Sequence, residues 1–200
     1  MAIMLQIAAN QQNSIPLSGQ GVSNATPWIM KGGTEVLIRP ISPEDEPLMV
    51  KFHQTLSDRT VYLRYFCSLS LATRSSHQRL ARICFAEPDC ETVLVAIQRE
   101  VRINQERILG VGRLNKVPEG KSAEIAVLVS DECQGRGLGK ELVRRLIQAA
   151  RDQHISRITA EMLRDNIPIQ SALRRSGFRF RLDDPRIVRA VLELQSPISN

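Results

Sequence analysis

The segment QGRGLGK, residues 134–140, places three glycines and two cations directly before an apolar run with helical spacing. The first amides of a helix have no partner inside the helix, and the helix dipole makes that end positive. Glycine leaves such amides uncovered, so this composition is typical of a loop that closes on phosphate oxygens. The alternative is a glycine turn that only reverses the chain.

Two common phosphate-binding motifs do not fit this segment. A Walker loop has the form G-x-x-x-x-G-K-[ST], whereas three residues separate Gly135 from Gly139, and Glu141 follows Lys140. A dinucleotide-binding fingerprint places its third glycine one position later than Gly139, and it follows a parallel unit rather than a meander. The sequence therefore predicts an anion-binding loop of another type.

A carboxylate lies on the strand candidate that leads into this loop. The segment SAEIAVLV, residues 122–129, alternates so that Glu124, Ala126 and Leu128 share one face. A carboxylate can accept the proton of an amine, and neutralising a lysine at pH 7 otherwise costs about 4 to 5 kcal/mol. On residue type alone, an exposed edge-strand glutamate that only aids solubility is the more common explanation.

The elements that position these residues follow from periodicity and turn residues. The first half is predicted to hold a strand over Thr34 to Arg39, a helix that begins at Ser42, a helix over Asp58 to Phe66 with Leu63 and Phe66 inward, and a helix over Thr73 to Ile83. A meander of three strands follows, TVLVAIQR, RILGVGRLN and SAEIAVLVS. The second half is predicted to hold a helix over Leu138 to Asp152, a strand over Arg157 to Leu163, a helix over Ile167 to Ser176, and strands over Phe178 to Leu182 and Val188 to Leu194. This order predicts an α/β (α+β) fold with a mixed, mostly antiparallel sheet and helices on both faces.

Length and composition indicate one domain. The 200 residues, 42% of them hydrophobic, suffice for a single core. Residues 1–33 are rich in Gln, Asn, Ser and Gly without a sustained period, which predicts a flexible extension before a domain at 34–200. The apolar start MAIMLQIAA has no preceding cation and is shorter than a membrane span, so we expect a cytoplasmic protein without a membrane partner.

Charge and reactive side chains exclude several function classes. The formal charge of +6 suits an anionic partner, but five Phe, two Tyr and one Trp without a reading motif disfavour nucleic acid. Four cysteines show no C-x-x-C pair or histidines at zinc spacing, so no metal site is expected. His53, His77 and His154 are isolated, which disfavours a nucleophilic triad and predicts surface or partly packed positions.

Three segments carry a resemblance to a known family. The order Gln134, Gly137, Gly139 matches Q/R-x-x-G-x-G/A, and here the sequence resembles the GNAT superfamily of N-acetyltransferases. The segment DNIPIQSALRRSGF resembles that family's later N-x(10)-G-F element, with Asn166 as its first residue. Residues 38–66 resemble the opening of the GNAT domain in bacterial protein lysine acetyltransferases, and the likeness extends over residues 34–195.

The resemblance implies a GNAT fold with a splayed strand pair, acetyl-CoA as co-substrate, and Glu124 as general base. The side chains of Arg136 and Lys140 are then expected near the cofactor phosphates. Leu173 stands where many relatives have the tyrosine that protonates the departing thiolate, so the proton donor is not identified. The implied acyl-CoA contacts are Leu128, Val129, Gln134, Gly135, Arg136, Gly137, Leu138, Gly139, Lys140 and Asn166.

The resemblance further implies direct acetyl transfer to an amine, with a protein lysine as the expected acceptor, for example on an acyl-CoA synthetase. In such relatives the helical pair that corresponds to residues 38–66 forms one wall of the acceptor groove. A small-molecule amine or a peptide N-terminus is the alternative acceptor on the same fold. A non-catalytic acyl-CoA sensor is the alternative of another class, and a homodimer stays open.

Overall fold

The computed structural model describes residues 25–100, 104–118, 120–182 and 184–194. The strands are β1 (Thr26–Ile29), β2 (Glu35–Pro40), β3 (Glu91–Glu100), β4 (Gln105–Lys116), β5 (Ser122–Val129), β6 (Arg157–Leu163), β7 (Arg179–Leu182) and β8 (Ile187–Glu193). The helices are α1 (Glu46–Gln54), α2 (Asp58–Tyr65), α3 (Leu71–Arg74), α4 (His77–Cys84), α5 (Leu138–Asp152) and α6 (Ile167–Arg175).

Within the described residues the strands form one eight-stranded sheet in the order β1-β2-β3-β4-β5-β6-β8-β7. Neighbouring strands are antiparallel except β5 and β6, which run parallel. A parallel pair requires a crossover, and α5 provides it. The predicted mixed, mostly antiparallel sheet is therefore confirmed.

Helices cover both faces of this sheet. On one face, α1, α2 and α4 pack on side chains of the central strands such as Val95, Val111 and Leu128. On the other face, α5 and α6 pack on alternate residues such as Ala123 and Ile125. The buried stripe of α5 repeats at helical spacing, with Leu138, Leu142, Val143, Leu146 and Ala150 all fully buried. Each such leucine contributes about 1.5 to 3 kcal/mol of burial.

The predicted boundary between extension and domain lies inside an antiparallel hairpin. Thr26–Ile29 forms β1, which pairs with β2, and Met30 is 2% exposed. Residues 25–33 therefore belong to the β1–β2 hairpin of the domain, while residues 1–24 lie outside the described part of the chain. β1 is short, contains Pro27 and is largely exposed, so it lacks the alternation that predicts a strand.

Two helix predictions near the N-terminal half are wrong in detail. The helix predicted over Thr73 to Ile83 is two helices, α3 and α4, and the Ser76 backbone between them is extended. Phe66 does not point inward. It adopts a left-handed conformation after α2 and is 36% exposed, because Val61 and Tyr65 provide the buried face of that helix.

No helix in the described ranges is both long and apolar enough to cross a membrane.

Candidate active site

The loop between β5 and α5 presents a row of unused amides. In the described structure, the backbone N–H groups of residues 135–140 donate no hydrogen bond to a protein acceptor, whereas Glu141 already donates to the Gly137 carbonyl. Gly135 and Gly137 have φ values of 72° and 91°, a region that non-glycine residues rarely adopt. These amides lie at the positive end of a 15-residue helix, which is a fitting site for a diphosphate.

The β1–β2 hairpin supports one side of this loop. The Arg136 side chain donates to the Lys31 carbonyl and to Thr34 Oγ1, and Lys31 N donates back to the Arg136 carbonyl at 3.0 Å. Trp28 lies against Gly137, 3.4 Å from the position that a Cβ atom would occupy there. The Arg136 guanidinium is thus engaged by the hairpin, and its place near the cofactor phosphates stays a prediction. Lys140 is exposed at the start of α5.

The start of α2 supports the other side. Asp131 accepts hydrogen bonds from Ser57 N at 2.9 Å, Ser57 Oγ at 2.7 Å and Thr60 Oγ1 at 2.8 Å. Desolvation is the largest single influence on the pKa of the Asp131 carboxyl, and it raises that pKa. The hydrogen bonds from Ser57 and Thr60 together outweigh it, so the pKa lies below its ordinary value. Gln134 Nε2 donates to Thr60 Oγ1 and to the Val129 carbonyl. Helix, loop and strand end are therefore joined around one carboxylate.

β5 and β6 part directly before this loop. Their parallel register joins residues 122–124 to residues 157–159, while β5 stays paired with β4 as far as Val129. Beyond Glu124, no described residue of β6 pairs with β5, so one backbone edge of residues 125–129 is free. Leu128 points into the core under α1 and α2, and its neighbour Val129 faces α5. The side chains of Leu128 and Val129 therefore lie on opposite faces of the sheet, and what the two residues have in common is the unpaired backbone edge.

Glu124 lies at the point where the strands separate. Its side chain is exposed, and no described residue is within ion-pair or hydrogen-bond distance of its carboxylate. Desolvation by the surrounding groove is the main cause that raises the pKa of Glu124, and Glu161 adds to it, whereas Arg64 and Arg113 oppose it. A carboxyl with this pKa direction, exposed beside a free strand edge, is suited to accept a proton.

A pocket lies along the face of β5 that Glu124 shares with Ala126 and Leu128. Its walls hold Arg64 and Tyr65 of α2, Arg113 of β4, and His53 of α1, together with Met49, Phe52, Ile83, Val111, Ala126 and Leu128. His53 is 1% exposed, and its Nδ1 has no hydrogen-bond partner. Burial and the nearby Arg74 and Arg79 lower the pKa of His53 to about 4, so the imidazole is neutral at pH 7. The predicted surface or partly packed position of His53 is therefore wrong.

The other predicted contacts occupy definite places. Asn166 Nδ2 donates to the Leu63 carbonyl at 3.4 Å, so Asn166 links the end of β6 to α2 beside the strand separation. Leu173 is 1% exposed in the core under α5 and α6. Leu173 is thus a packing residue, and its position offers no proton donor.

Sequence reasoning missed three supports of the site, namely Trp28, Arg64 and Asp131. Trp28 lies in a segment without alternation, and Arg64 lies within YLRYF, residues 62–66, where a single cation gives no periodic signal of a site. Asp131 directly follows the strand that enters the glycine loop, so its place could have indicated a role in holding that loop. His53 follows Met49 by four positions, and this spacing predicts a common helix face.

Comparisons with known proteins agree with this geometry. The family model described as Acetyltransferase (GNAT) domain matches residues 35–179. Acetyltransferase PA5475 of Pseudomonas aeruginosa is 29% identical over 145 residues, which are 72% of this chain and 75% of that protein. Acetyltransferase Pat of Mycolicibacterium smegmatis is 27% identical over 173 residues, which are 84% of this chain and 48% of that relative. The chain thus spans about half the length of the mycobacterial protein.

Among solved structures, the GNAT domain of S. lividans PAT superposes with a TM-score of 0.74 and 24% identity. The match covers 85% of this chain and 97% of that domain. At this identity the likeness establishes the fold.

Proposed function

Because the chain belongs to the GNAT acetyltransferase domain family, we propose that it transfers an acetyl group from acetyl-CoA directly to a protein lysine, with Glu124 as general base. Acetyl-CoA is the acyl donor of GNAT acetyltransferases. The observation that carries the proposal is the position of Glu124 at the last β5–β6 pair, where the free edge of β5 begins.

The cofactor contacts follow from the unused backbone groups. The amides of residues 135–140 are free to bind the diphosphate, and the positive φ of Gly137 orients the start of α5 toward it. The free edge of residues 125–129 offers main-chain groups to an extended, amide-containing arm, much as an edge strand pairs with another strand. When bound, acetyl-CoA supplies an activated acetyl thioester.

The residues around Glu124 prepare the acceptor. An ammonium group that enters the groove is attracted by the exposed carboxylate of Glu124 and by Glu161, while the nearby Arg64 and Arg113 oppose this attraction. Glu124 then accepts the proton, directly or through water, so that the neutral amine can attack. Because Glu124 has no competing partner among the described residues, its oxygens are available for this role.

A lysine on a protein is supported by two features. The relatives named Pat and PAT share the fold and most of this chain's length. The groove beside Glu124 is also open to solvent rather than enclosed, since the Glu124 side chain is itself exposed. An acyl-CoA synthetase is the protein class that we expect as acceptor.

The test combines calorimetry with an acceptor screen. Purified protein is titrated with CoA and then assayed with acetyl-CoA against an acyl-CoA synthetase, lysine peptides, polyamines, aminoglycosides and peptide N-termini, with mass spectrometry to locate the acetyl group. Acetylated lysine on a protein or peptide supports the proposal. Faster transfer to small amines or α-amino groups contradicts the lysine acceptor, and CoA binding without turnover on any amine favours a sensor.

A further inference from the structure

The sheet face that bears Glu124 continues across β6, β8 and β7. The registers pair Glu124 with Thr159, Thr159 with Val191, and Val191 with Arg179. Residues paired across neighbouring strands point to the same face. These four side chains therefore form one row perpendicular to the strands, here called the lateral row, which runs from the general base to the last strand of the sheet.

A second row lies beside the first and has the same order of charges, with a carboxylate at the β6 end and an arginine on β7. It consists of Glu161, Arg189 and Arg181, and Arg189 Nε donates to Glu161 Oε1 at 2.6 Å. Arg179 and Arg181 are both exposed, and neither has a carboxylate within ion-pair distance in the described part of the chain. Two uncommitted guanidinium groups thus lie at the outer end of the rows, and two carboxylates lie at the inner end.

This face is open to solvent. The intervening residues Phe180, Ala160 and Ala190 point to the opposite side, where α5 and α6 pack on them. On the open side, the side chains of Arg189 and Glu161 remain 57% and 38% exposed. An extended peptide can therefore lie across β6, β8 and β7 with one end at Glu124.

We propose that this face binds the segment around the acceptor lysine, and that Arg179 and Arg181 select acceptors with an acidic side chain about four residues from that lysine. The proposal rests on the proposed function, because it takes Glu124 as the place where the lysine arrives. Three strand spacings of about 4.8 Å separate Glu124 from Arg179, which gives about 14 Å, and an extended chain advances about 3.3 Å per residue.

Charge complementarity identifies the partner as a peptide rather than a nucleic acid. A peptide with a lysine at the inner end and an acid at the outer end places each charge opposite its counterpart. A polyanion along the same path would place its phosphates against Glu161 and Glu124. The mixed polarity of the face therefore favours a segment of mixed charge.

The experiment compares matched peptides on matched variants. Fluorescent peptides carry one lysine with Asp, Asn or Lys placed four residues before or after it, and their binding is measured by anisotropy. The double variant Arg179→Gln/Arg181→Gln is compared with Arg151→Gln, which removes an exposed arginine from α5 on the opposite face. Thermal unfolding verifies that each variant is folded.

We expect the wild-type protein to bind the Asp peptide about fivefold more tightly than the Asn peptide in at least one of the two placements. The preference should appear in KM more than in kcat and should shrink as salt is raised. It should vanish in the double variant and persist in Arg151→Gln. A charge reversal, Arg179→Glu/Arg181→Glu, should favour the Lys peptide instead.

The outcomes separate this inference from the proposed function. Acetyl transfer to lysine with equal binding of the Asp and Asn peptides, or with a preference that the double variant retains, would overturn only this inference. Intact CoA binding with no transfer to any lysine would overturn the proposed function. Displacement of the Asp peptide by an oligonucleotide at equal concentration would reassign the face to nucleic acid.

Discussion

Glu124 lies opposite Thr159 in the last residue pair that joins β5 to β6. The carboxylate is therefore fixed by a regular parallel ladder on one side and faces an open strand edge on the other. A side chain on such a rigid element keeps its position while the groove remains accessible.

The first prediction concerns this carboxylate. Glu124→Gln keeps the size of the side chain but removes the proton acceptor, so kcat should fall by about 10²- to 10⁴-fold. CoA affinity by calorimetry should stay within the error of the wild type, because the amides of the loop are unchanged. Glu193→Gln, an exposed glutamate on β8, which lies between β6 and β7, is the matched control and should keep full activity. Unchanged turnover of Glu124→Gln would remove Glu124 from the mechanism.

The second prediction concerns pH. Since desolvation raises the pKa of Glu124, the acidic limb of kcat/KM should lie above the ordinary glutamate value of about 4.3. The base works when deprotonated, so the rate is full above this pKa and falls as pH decreases through it. Arg64→Met removes an opposing cation and should move the limb to higher pH. Glu161→Gln removes a like charge and should move it to lower pH. Shifts in the opposite directions would show that another group sets the limb.

The third prediction uses the only tryptophan of the chain as a reporter of the loop. Because Trp28 contacts Gly137, CoA binding should change the Trp28 emission. Gly137→Ala should weaken CoA binding by about tenfold, since a Cβ at φ 91° costs about 1 to 2 kcal/mol in the conformation that the loop needs.

The matched control for that loop is Gly139→Ala. Gly139 lacks a positive φ, and the nearest atom to an added Cβ is Val129 Cγ2 at 3.7 Å, an ordinary contact. CoA affinity should therefore change less than in Gly137→Ala. Equal losses in both variants would indicate that the conformation of Gly137 does not organise the site.

The fourth prediction concerns the buried imidazole of His53. Its pKa is about 4 in the folded protein, against about 6.5 in an unfolded chain. The contribution of His53 to stability is therefore full above pH about 6.5 and is lost as pH falls toward 4, with a loss of about 2 kcal/mol at pH 5.

Denaturant unfolding at pH 7.5 and pH 5 tests this linkage. His53→Leu should lose less free energy of unfolding between the two pH values than the wild type does. His154→Asn, which replaces an exposed histidine of positive φ with another residue that tolerates it, should behave like the wild type. An identical pH dependence in His53→Leu and the wild type would show that His53 is not protonated on unfolding.

The strongly periodic elements were predictable from sequence. The helix predicted over Leu138 to Asp152 and the strand predicted over Arg157 to Leu163 have the observed bounds, because each has a clear apolar stripe or alternation. The sequence also indicated the glycine loop and the face shared by Glu124, Ala126 and Leu128. β1 was not predicted. A four-residue exposed strand buries little of its own surface, so it shows no apolar alternation and forms because it pairs with β2.

Contacts between distant segments were beyond sequence patterns. The bond of Arg136 to Lys31 joins residues 105 positions apart, and that of Asp131 to Ser57 joins residues 74 positions apart. A cation or a carboxylate at these positions could equally well face solvent, bind a ligand or contact another segment, so the residue type alone does not predict the contact. The direction of the Arg136 side chain is therefore set by the hairpin, whose existence the sequence did not predict.

The β1–β2 hairpin also governs how a shortened version of the protein would behave. The family match begins at residue 35, so a recombinant fragment cut there would omit β1, Trp28 and Lys31. β2 would then become the border of the sheet, and its unpaired backbone would invite association with other copies. Arg136 would lose its carbonyl anchor at the same time. Fragment design for crystallisation or screening should therefore start upstream of Thr26.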